Sequence, residues 1–367
     1  MDKSILHGYI DFLSDYDSVN PFPTYKSGLV KWIEEFEEIL NDFVPCEEIE
    51  SLNVADDIQV LFSLLLVNRG DSTPVEERQA KIRALLETLQ VGQRTTEWYA
   101  QSKTVLTASE FSSILGTPRG MAVLALQKAT PAAPRNSVAC STVSMSAFDW
   151  GIRFEPVVKQ ILTAMWNCEI VEVGRFVHST NVRLAASPDG IIMKAADPGR
   201  VGRLLEIKCP IRREINGKIP FDYWCQMQIQ MEVTDIEECD YVEMKIASGY
   251  KNSVYGPPTE EPGTTYRGIV WLYQYFETCE MKYAYTVAER DELNSLGWHC
   301  LEEIPWHLEK MFTQTIVRDK KWYEGTAAKQ EEFWLRVADA HKGLIEPPKR
   351  RPRAPSTGGY EIMDDIT

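Results

Sequence analysis

Three short strings in the 367-residue chain place acidic and basic side chains where they could act together on a phosphate ester. Ser187-Pro188-Asp189-Gly190 has a turn composition, so the Asp189 carboxylate is expected at a tip between two strands. Leu204-Leu205-Glu206-Ile207-Lys208 reads as a strand, in which residues two apart share a face. Glu206 and Lys208 then converge while Ile207 enters the core on the other side. Glu155 is expected at the N-terminal end of a helix, where the helix dipole favours a carboxylate. Carboxylate oxygens suit Mg²⁺ or Mn²⁺, which prefer octahedral oxygen coordination and keep several waters. Such an ion polarises a scissile phosphodiester and helps to generate hydroxide, and a second ion about 3.5–4 Å away stabilises the leaving oxygen. Lys208 is then placed to orient the attacking water, or to accept its proton if burial and the metals lower its pKa.

Each string alone has an ordinary explanation. A Glu-x-Lys pair on a strand is usually a solvated ion pair of small energetic value, and Pro-Asp-Gly is a common turn. Their order along the chain, Glu, Asp, Glu-x-Lys, with apolar strands around them, is what points to hydrolytic metal chemistry.

The elements that must position these residues follow from periodicity. Thr107-Ala108-Ser109-Glu110 precedes Phe111, Ile114 and Leu115 as a capped helix start that ends at Gly116. Residues 130 to 146, rich in Ala, Pro, Ser and Thr, read as a loop. Trp150-Gly151-Ile152-Arg153-Phe154-Glu155-Pro156 opens a second helix with Val157, Val158, Ile161, Leu162 and Met165 on one face, and Pro156 suits its first turn. Short strands are expected over Ile170 to Val177, Val182 to Ala186, Gly190 to Lys194 and Arg203 to Lys208. A helix follows over Phe221 to Val233, then strands over Tyr241 to Ile246, Gly268 to Tyr275 and Lys282 to Val287, with Leu301 to Ala340 mostly helical. The order predicts an α/β layer with a mixed sheet. No repeat of fixed period is visible.

Upstream, Leu29, Trp32, Ile33, Phe36, Ile39 and Leu40, and then Ile82, Leu85, Leu86 and Leu89, recur at helical spacing. This gives three regions: a helical accessory region over 1–92, a catalytic domain over 93–340 and a flexible basic, proline-rich tail over 341–367. The tail carries Lys349-Arg350-Arg351-Pro352-Arg353, a nuclear-localisation or DNA-tethering composition.

Composition narrows the class. With 44% hydrophobic residues the chain can bury a large core. The longest apolar stretch, Ile58 to Val67, is too short to cross a bilayer, and no secretory signal opens the sequence, so a soluble intracellular protein is expected without a membrane partner. Eight cysteines are scattered without a Cys-x-x-Cys pair, the pattern of reduced buried thiols rather than a zinc ribbon. The formal net charge of −15 disfavours broad DNA coating more than it disfavours a locally charged channel.

Six ordered motifs between about Thr95 and Val233 resemble the lambda-exonuclease-like or YqaJ-type viral recombinase nucleases of the PD-(D/E)XK superfamily. They are Glu97-Trp98-Tyr99, Thr107-Ala108-Ser109, Trp150-Gly151 with Phe154-Glu155, Ser187-Pro188-Asp189-Gly190, Glu206-Ile207-Lys208-Cys209-Pro210, and Tyr223 with Gln226 and Gln228. The resemblance implies an α/β restriction-endonuclease-like core, a mixed central sheet flanked by helices; the helical N-terminal extension, read from periodicity, lies outside it. It implies two Mg²⁺ ions, with Mn²⁺ able to substitute, held by Glu155, Asp189, Glu206 and the Ile207 backbone carbonyl. Lys208 is then the catalytic lysine, Gln226 its neighbour in the site, and Ser187 a serine near the metals and phosphate.

One position departs from the pattern: Ser102 stands where family members commonly carry an arginine that holds a terminal 5′ phosphate. Serine cannot make that bidentate, permanently charged contact. Lys103 or Arg119 are the candidate substitutes, and Arg212-Arg213 a further phosphate grip beside the metals. The expected activity is 5′-to-3′ double-stranded DNA exonucleolysis leaving single-stranded 3′ overhangs for recombination, replication or repair. Family resemblance also implies a homo-oligomeric ring, commonly a trimer, a single-strand annealing protein as partner, and the host nucleus or cytoplasm as the compartment if the source is viral. Two other readings stay open: a structure-specific endonuclease on the same core, and a nuclease-like DNA-binding or recombination scaffold without activity.

Overall fold

The structure is a computed structural model that describes residues 74–131, 146–248 and 266–345. The expected helical faces before Pro74, the loop over 132–145 and the basic tail after Ile345 lie outside the described residues.

The described chain opens with α1 (Val75–Leu86) and α2 (Thr96–Gln101). Next come β1 (Leu106–Thr107), a 3₁₀ turn over Ala108–Glu110, α3 (Ser112–Leu115) and α4 (Pro118–Ala129). The expected cap is present: Thr107 and Glu110 form a reciprocal capping box, and Gly116 ends α3. A long helix, α5 (Ala147–Trp166), leads into β2 (Cys168–Val171), β3 (Phe176–Val177), β4 (Leu184–Ala186), β5 (Gly190–Ala195) and β6 (Leu204–Lys208). After α6 (Phe221–Thr234) the chain forms β7 (Glu238–Ser248), β8 (Arg267–Tyr275), β9 (Glu280–Ala284), α7 (Val287–Ser295) and β10 (His299–Val317). It closes with α8 (Lys320–Glu324) and α9 (Ala327–His341).

Seven strands form one mixed sheet in the order β2-β5-β6-β7-β10-β8-β9, and β1-β4-β3 form a small second sheet. Only the β6/β7 pair of the large sheet is parallel, which is why α6 lies between these strands in sequence as a crossover. The expected mixed central sheet flanked by helices is therefore the architecture found. Two apolar layers cover its faces. Phe154, Val157, Val158, Ile161 and Leu162 of α5 pack on Leu205, Ile207, Val242 and Met244. Leu204, Cys239 and Tyr241 face the other way, toward Met227, Ile229 and Met231 of α6. Alternation along β6 thus sends Leu205 and Ile207 to one layer and Leu204, Glu206 and Lys208 to the other.

Two expectations are corrected. The stretch from Leu301 was expected to be helical, but His299–Val317 is a single strand of 19 residues, paired to β7 on one edge and β8 on the other. Its charged residues, Glu302, Glu303, Glu309 and Lys310, gave it a helical polarity. A central position between two strands satisfies its backbone on both edges, and Ile304 and Trp306 alternate into the core, so the sheet overrides local preference. The expected helix start at Trp150 lies earlier: Ser146 is the N-cap, its Oγ accepting the Asp149 N–H. Pro156 consequently sits inside α5 rather than in its first turn, and costs that helix one internal hydrogen bond. Glu155 is mid-helix, so the dipole argument does not apply to it.

Smaller differences concern β9, which ends at Ala284 because Thr286 and Glu289 cap α7, and the thiols. Cys168, Cys225 and Cys239 are buried as expected, whereas Cys279 and Cys300 are exposed. Among the described residues no helix is long and apolar enough to cross a membrane.

Candidate active site

Strand β6 carries two site residues on one face because its other face is taken by the α5 core. Glu206 is fully buried, and Lys208 Nζ lies 2.5 Å from Glu206 Oε1. Opposite them, α6 presents Gln226 and Gln230, one helical turn apart. Gln226 Nε2 donates to Glu206 Oε1 at 2.7 Å, and its Oε1 accepts from Lys208 Nζ at 3.2 Å. Gln230 Nε2 donates to Glu206 Oε2 at 2.6 Å. Both carboxylate oxygens of Glu206 are thereby oriented, and Lys208 also lies over the Tyr223 ring, 4.5 Å from its centroid. Gln228, quoted in the Tyr223 motif, points elsewhere: it bonds the Val317 carbonyl and the Asp319 N–H.

Asp189 reaches the same place from the turn before β5. Its N–H donates to the Leu205 carbonyl at 3.0 Å, and its Oδ2 accepts the Ile207 N–H at 2.6 Å, between Glu206 and Lys208 of β6. Burial, and then the negative charges of Glu206 and Glu155, push the Asp189 carboxyl well above its usual range, against the pull of Lys208 and the Ile207 N–H. Burial works against the Lys208 ammonium, but Glu206 and Asp189 more than offset it and hold its pKa above the ordinary lysine value.

Glu155 approaches from the α5 side of the sheet. It is gripped by Arg94 at 3.0 Å and by Lys159, one turn on, at 2.9 Å, and Lys159 reaches on to Glu172. Arg94 itself has φ of +66°, a left-handed conformation that costs a non-glycine residue about 1–2 kcal/mol. So Asp189, Glu206, Lys208 and Gln226 come together, while Glu155 is felt through its charge rather than by contact. Among the described residues no group of three or more His, Cys, Asp or Glu side chains is close enough to hold a metal ion as it stands. The donor chemistry nevertheless fits a hard divalent cation, since Asp189, Glu206 and Glu155 offer carboxylate oxygens and the charges of the last two act on the first.

Beside Asp189 opens a cleft of about 550 Å³, whose wall includes Arg94, Trp98, Ser102, Lys103, Ser109, Arg175, Ser187 and Gln226. Ser187 lies at its rim, its Oγ accepting from Trp98 Nε1 at 3.3 Å. Of the expected phosphate-binding cations, Lys103 is on this wall with its Nζ bonded to the Gln127 carbonyl at 2.8 Å. Arg119, at the exposed start of α4, is not in the wall. Arg212 is exposed on the loop after β6, whereas Arg213 turns back to ion-pair with Glu243.

Two residues of this neighbourhood escaped the sequence reading. Gln230 had a usable signal, its spacing of four from Gln226. Arg175 had a fainter one, a single basic residue inside an apolar strand. Gly174 before it lets the chain approach Val91: a Cβ there would meet the Val91 carbonyl oxygen at 2.6 Å. The Arg175 backbone is thereby paired with Val91 in both directions.

Fold and site together define an α/β protein with a buried Glu-x-Lys strand, an aspartate turn beside it and a polar cleft at their edge. The family model described as a YqaJ-like viral recombinase domain matches residues 97–237 of this chain. An uncharacterized protein of Acanthamoeba polyphaga mimivirus is 32% identical over 182 residues, 46% of this chain; the matched stretch spans 32% of that relative's length. Among solved structures, an alkaline exonuclease from Laribacter hongkongensis is 21% identical, with a TM-score of 0.41 over 68% of this chain and 96% of that one. A phage-related exonuclease from Haemophilus somnus is 12% identical, with a TM-score of 0.35 over 65% and 93% of the two chains. Both structural likenesses are remote.

Proposed function

We propose that the chain is a metal-dependent DNA nuclease, acting as a 5′-to-3′ exonuclease on double-stranded DNA and leaving single-stranded 3′ overhangs. The observation that carries this reading is the convergence of Asp189, Glu206 and Lys208 around Gln226 at the edge of the cleft, inside a YqaJ-like domain. A binding module has no need of a buried carboxylate pair with a lysine held against it.

Glu155, Asp189 and Glu206, with the Ile207 carbonyl, would hold one or two Mg²⁺ ions, Mn²⁺ substituting. Bound there, the metal supplies polarisation of the scissile phosphate and acidification of water. Gln226 and Gln230 fix the rotamer of Glu206. Lys208, held as an ammonium by Glu206 and Asp189, orients the attacking water and offers a positive charge to the phosphate oxygens; this favours the orienting role over that of proton acceptor. The cleft, with Trp98 and Ser187 in its wall, accepts the strand end. A homo-oligomeric ring and a single-strand annealing partner belong to the same reading.

End-labelled linear duplex and closed circular duplex, each given Mg²⁺, test it. Stepwise loss from 5′ ends with circles left intact is expected. Cutting of closed circles would replace it with a structure-specific endonuclease, and binding without hydrolysis in Mg²⁺ or Mn²⁺ with a scaffold.

A further inference from the structure

We infer that Arg175, with the hydroxyls of Ser102 and Ser109 on the same wall, is the cation that holds a DNA phosphate in the cleft. This rests on the nuclease reading and names how the substrate strand is gripped.

Arg175 is 2% exposed, yet it lines the cleft. Its guanidinium lies over the Trp98 ring, 4.0 Å from the centroid, and one Nη donates to the Trp98 carbonyl at 2.7 Å. Its Nε is buried with no hydrogen-bond partner among the described residues. Among the described residues no carboxylate lies within ion-pairing distance. Glu110, whose charge acts on it, is itself paired with Lys128 at 2.6 Å. Burial without a counter-ion pulls the guanidinium pKa down to about 10, with Glu110 opposing the shift only in part. A buried cation of this kind is costly unless an anion completes it. Arg203, by contrast, is paired with Glu238 and Asp240, and Arg318 with Glu232, Asp235 and Glu237.

Phosphate is the anion that a DNA strand would bring to this wall. The planar fork of arginine matches two phosphate oxygens, and stacking on Trp98 fixes its plane. Ser102 and Ser109 bring hydroxyls to the same wall, and Lys103 adds positive charge at its margin. The cleft also reaches Asp189 and Gln226, so a phosphate held at Arg175 belongs to the strand being cut. Ser102 cannot supply this charge, and Arg175 comes to the same wall from a different segment, anchored through Gly174 and Val91.

The phosphate is either a terminal monoester or an internal diester, and binding without turnover separates them. Fluorescence anisotropy in EDTA is measured with a 5′-phosphorylated duplex and its 5′-hydroxyl counterpart, on the wild-type full chain, Arg175→Met and Arg175→Lys. Arg175→Met should weaken binding at least about tenfold and Arg175→Lys by less. Weakening confined to the phosphorylated duplex assigns a terminal phosphate; equal weakening on both assigns an internal one. Unchanged binding of both duplexes by a folded Arg175→Met overturns the inference. If neither variant folds, competition on the wild type decides. Inorganic phosphate on the order of millimolar should displace the duplex more than chloride at equal ionic strength, and equal displacement overturns it. Loss of hydrolysis alone, with phosphate-dependent binding intact, strikes the nuclease reading and leaves this one standing.

Discussion

Asp189 Oδ2 accepts the backbone N–H of Ile207 at 2.6 Å, so the aspartate turn is fastened to the one peptide that lies between Glu206 and Lys208. Side chains from two segments are thereby kept in register by a backbone contact that no substitution at position 207 removes, proline excepted.

The same closeness has a cost. Burial and the charges of Glu206 and Glu155 raise the Asp189 carboxyl, so the native state favours its neutral form more than the unfolded chain does. Its contribution to stability is therefore greatest in acid and is lost as pH rises through the raised native value. Asp189→Asn should raise the melting temperature of the metal-free protein at pH 7 while abolishing hydrolysis. Thermal melts in EDTA at pH 5 and pH 8 check this: the gain should be larger at pH 8, and a destabilised variant would contradict it.

Gln230 is expected to act through Glu206 alone. Gln230→Leu takes a donor from a buried carboxylate oxygen and should destabilise the fold by about 1–3 kcal/mol, read by urea denaturation. Hydrolysis should fall as well, while binding of duplex DNA in EDTA should stay near that of the wild type.

Gly174→Ala tests the approach that sets Arg175. The added methyl meets the Val91 carbonyl oxygen, a backbone atom that cannot swing aside. A loss of about 1–3 kcal/mol is expected, and the Trp98 environment should change in the fluorescence spectrum because Arg175 stacks on that ring.

Away from the cleft, Asp240 is buried and accepts from Arg200 at 2.6 Å, Arg203 at 3.1 Å and Thr315 at 2.7 Å. It ties β7 to β10 and to the turn before β6. Asp240→Ala leaves charges without their partner and should cost about 3–5 kcal/mol in chemical denaturation.

How far the sequence carried differs from residue to residue. Glu206 and Lys208 were legible because a strand of period two admits one geometry, and Asp189 because Pro-Asp-Gly is a turn. Glu155 was placed in the right helix but in its first turn rather than its middle, since nothing local shows that Ser146 already caps it. The strand over His299–Val317 was misread because its alternation is diluted by glutamates that face solvent, and only its two neighbours make it a strand. Arg175 was out of reach for another reason: its significance lies in the carboxylate it lacks, which is a property of three-dimensional surroundings.

The most direct measurement is hydrolysis of an end-labelled linear duplex in Mg²⁺ by the wild-type chain and by Lys208→Ala, with duplex binding in EDTA measured alongside. The variant should fold and bind, and its hydrolysis should fall by at least about 10²-fold. Turnover by Lys208→Ala at the wild-type rate would contradict the assignment of this site as catalytic.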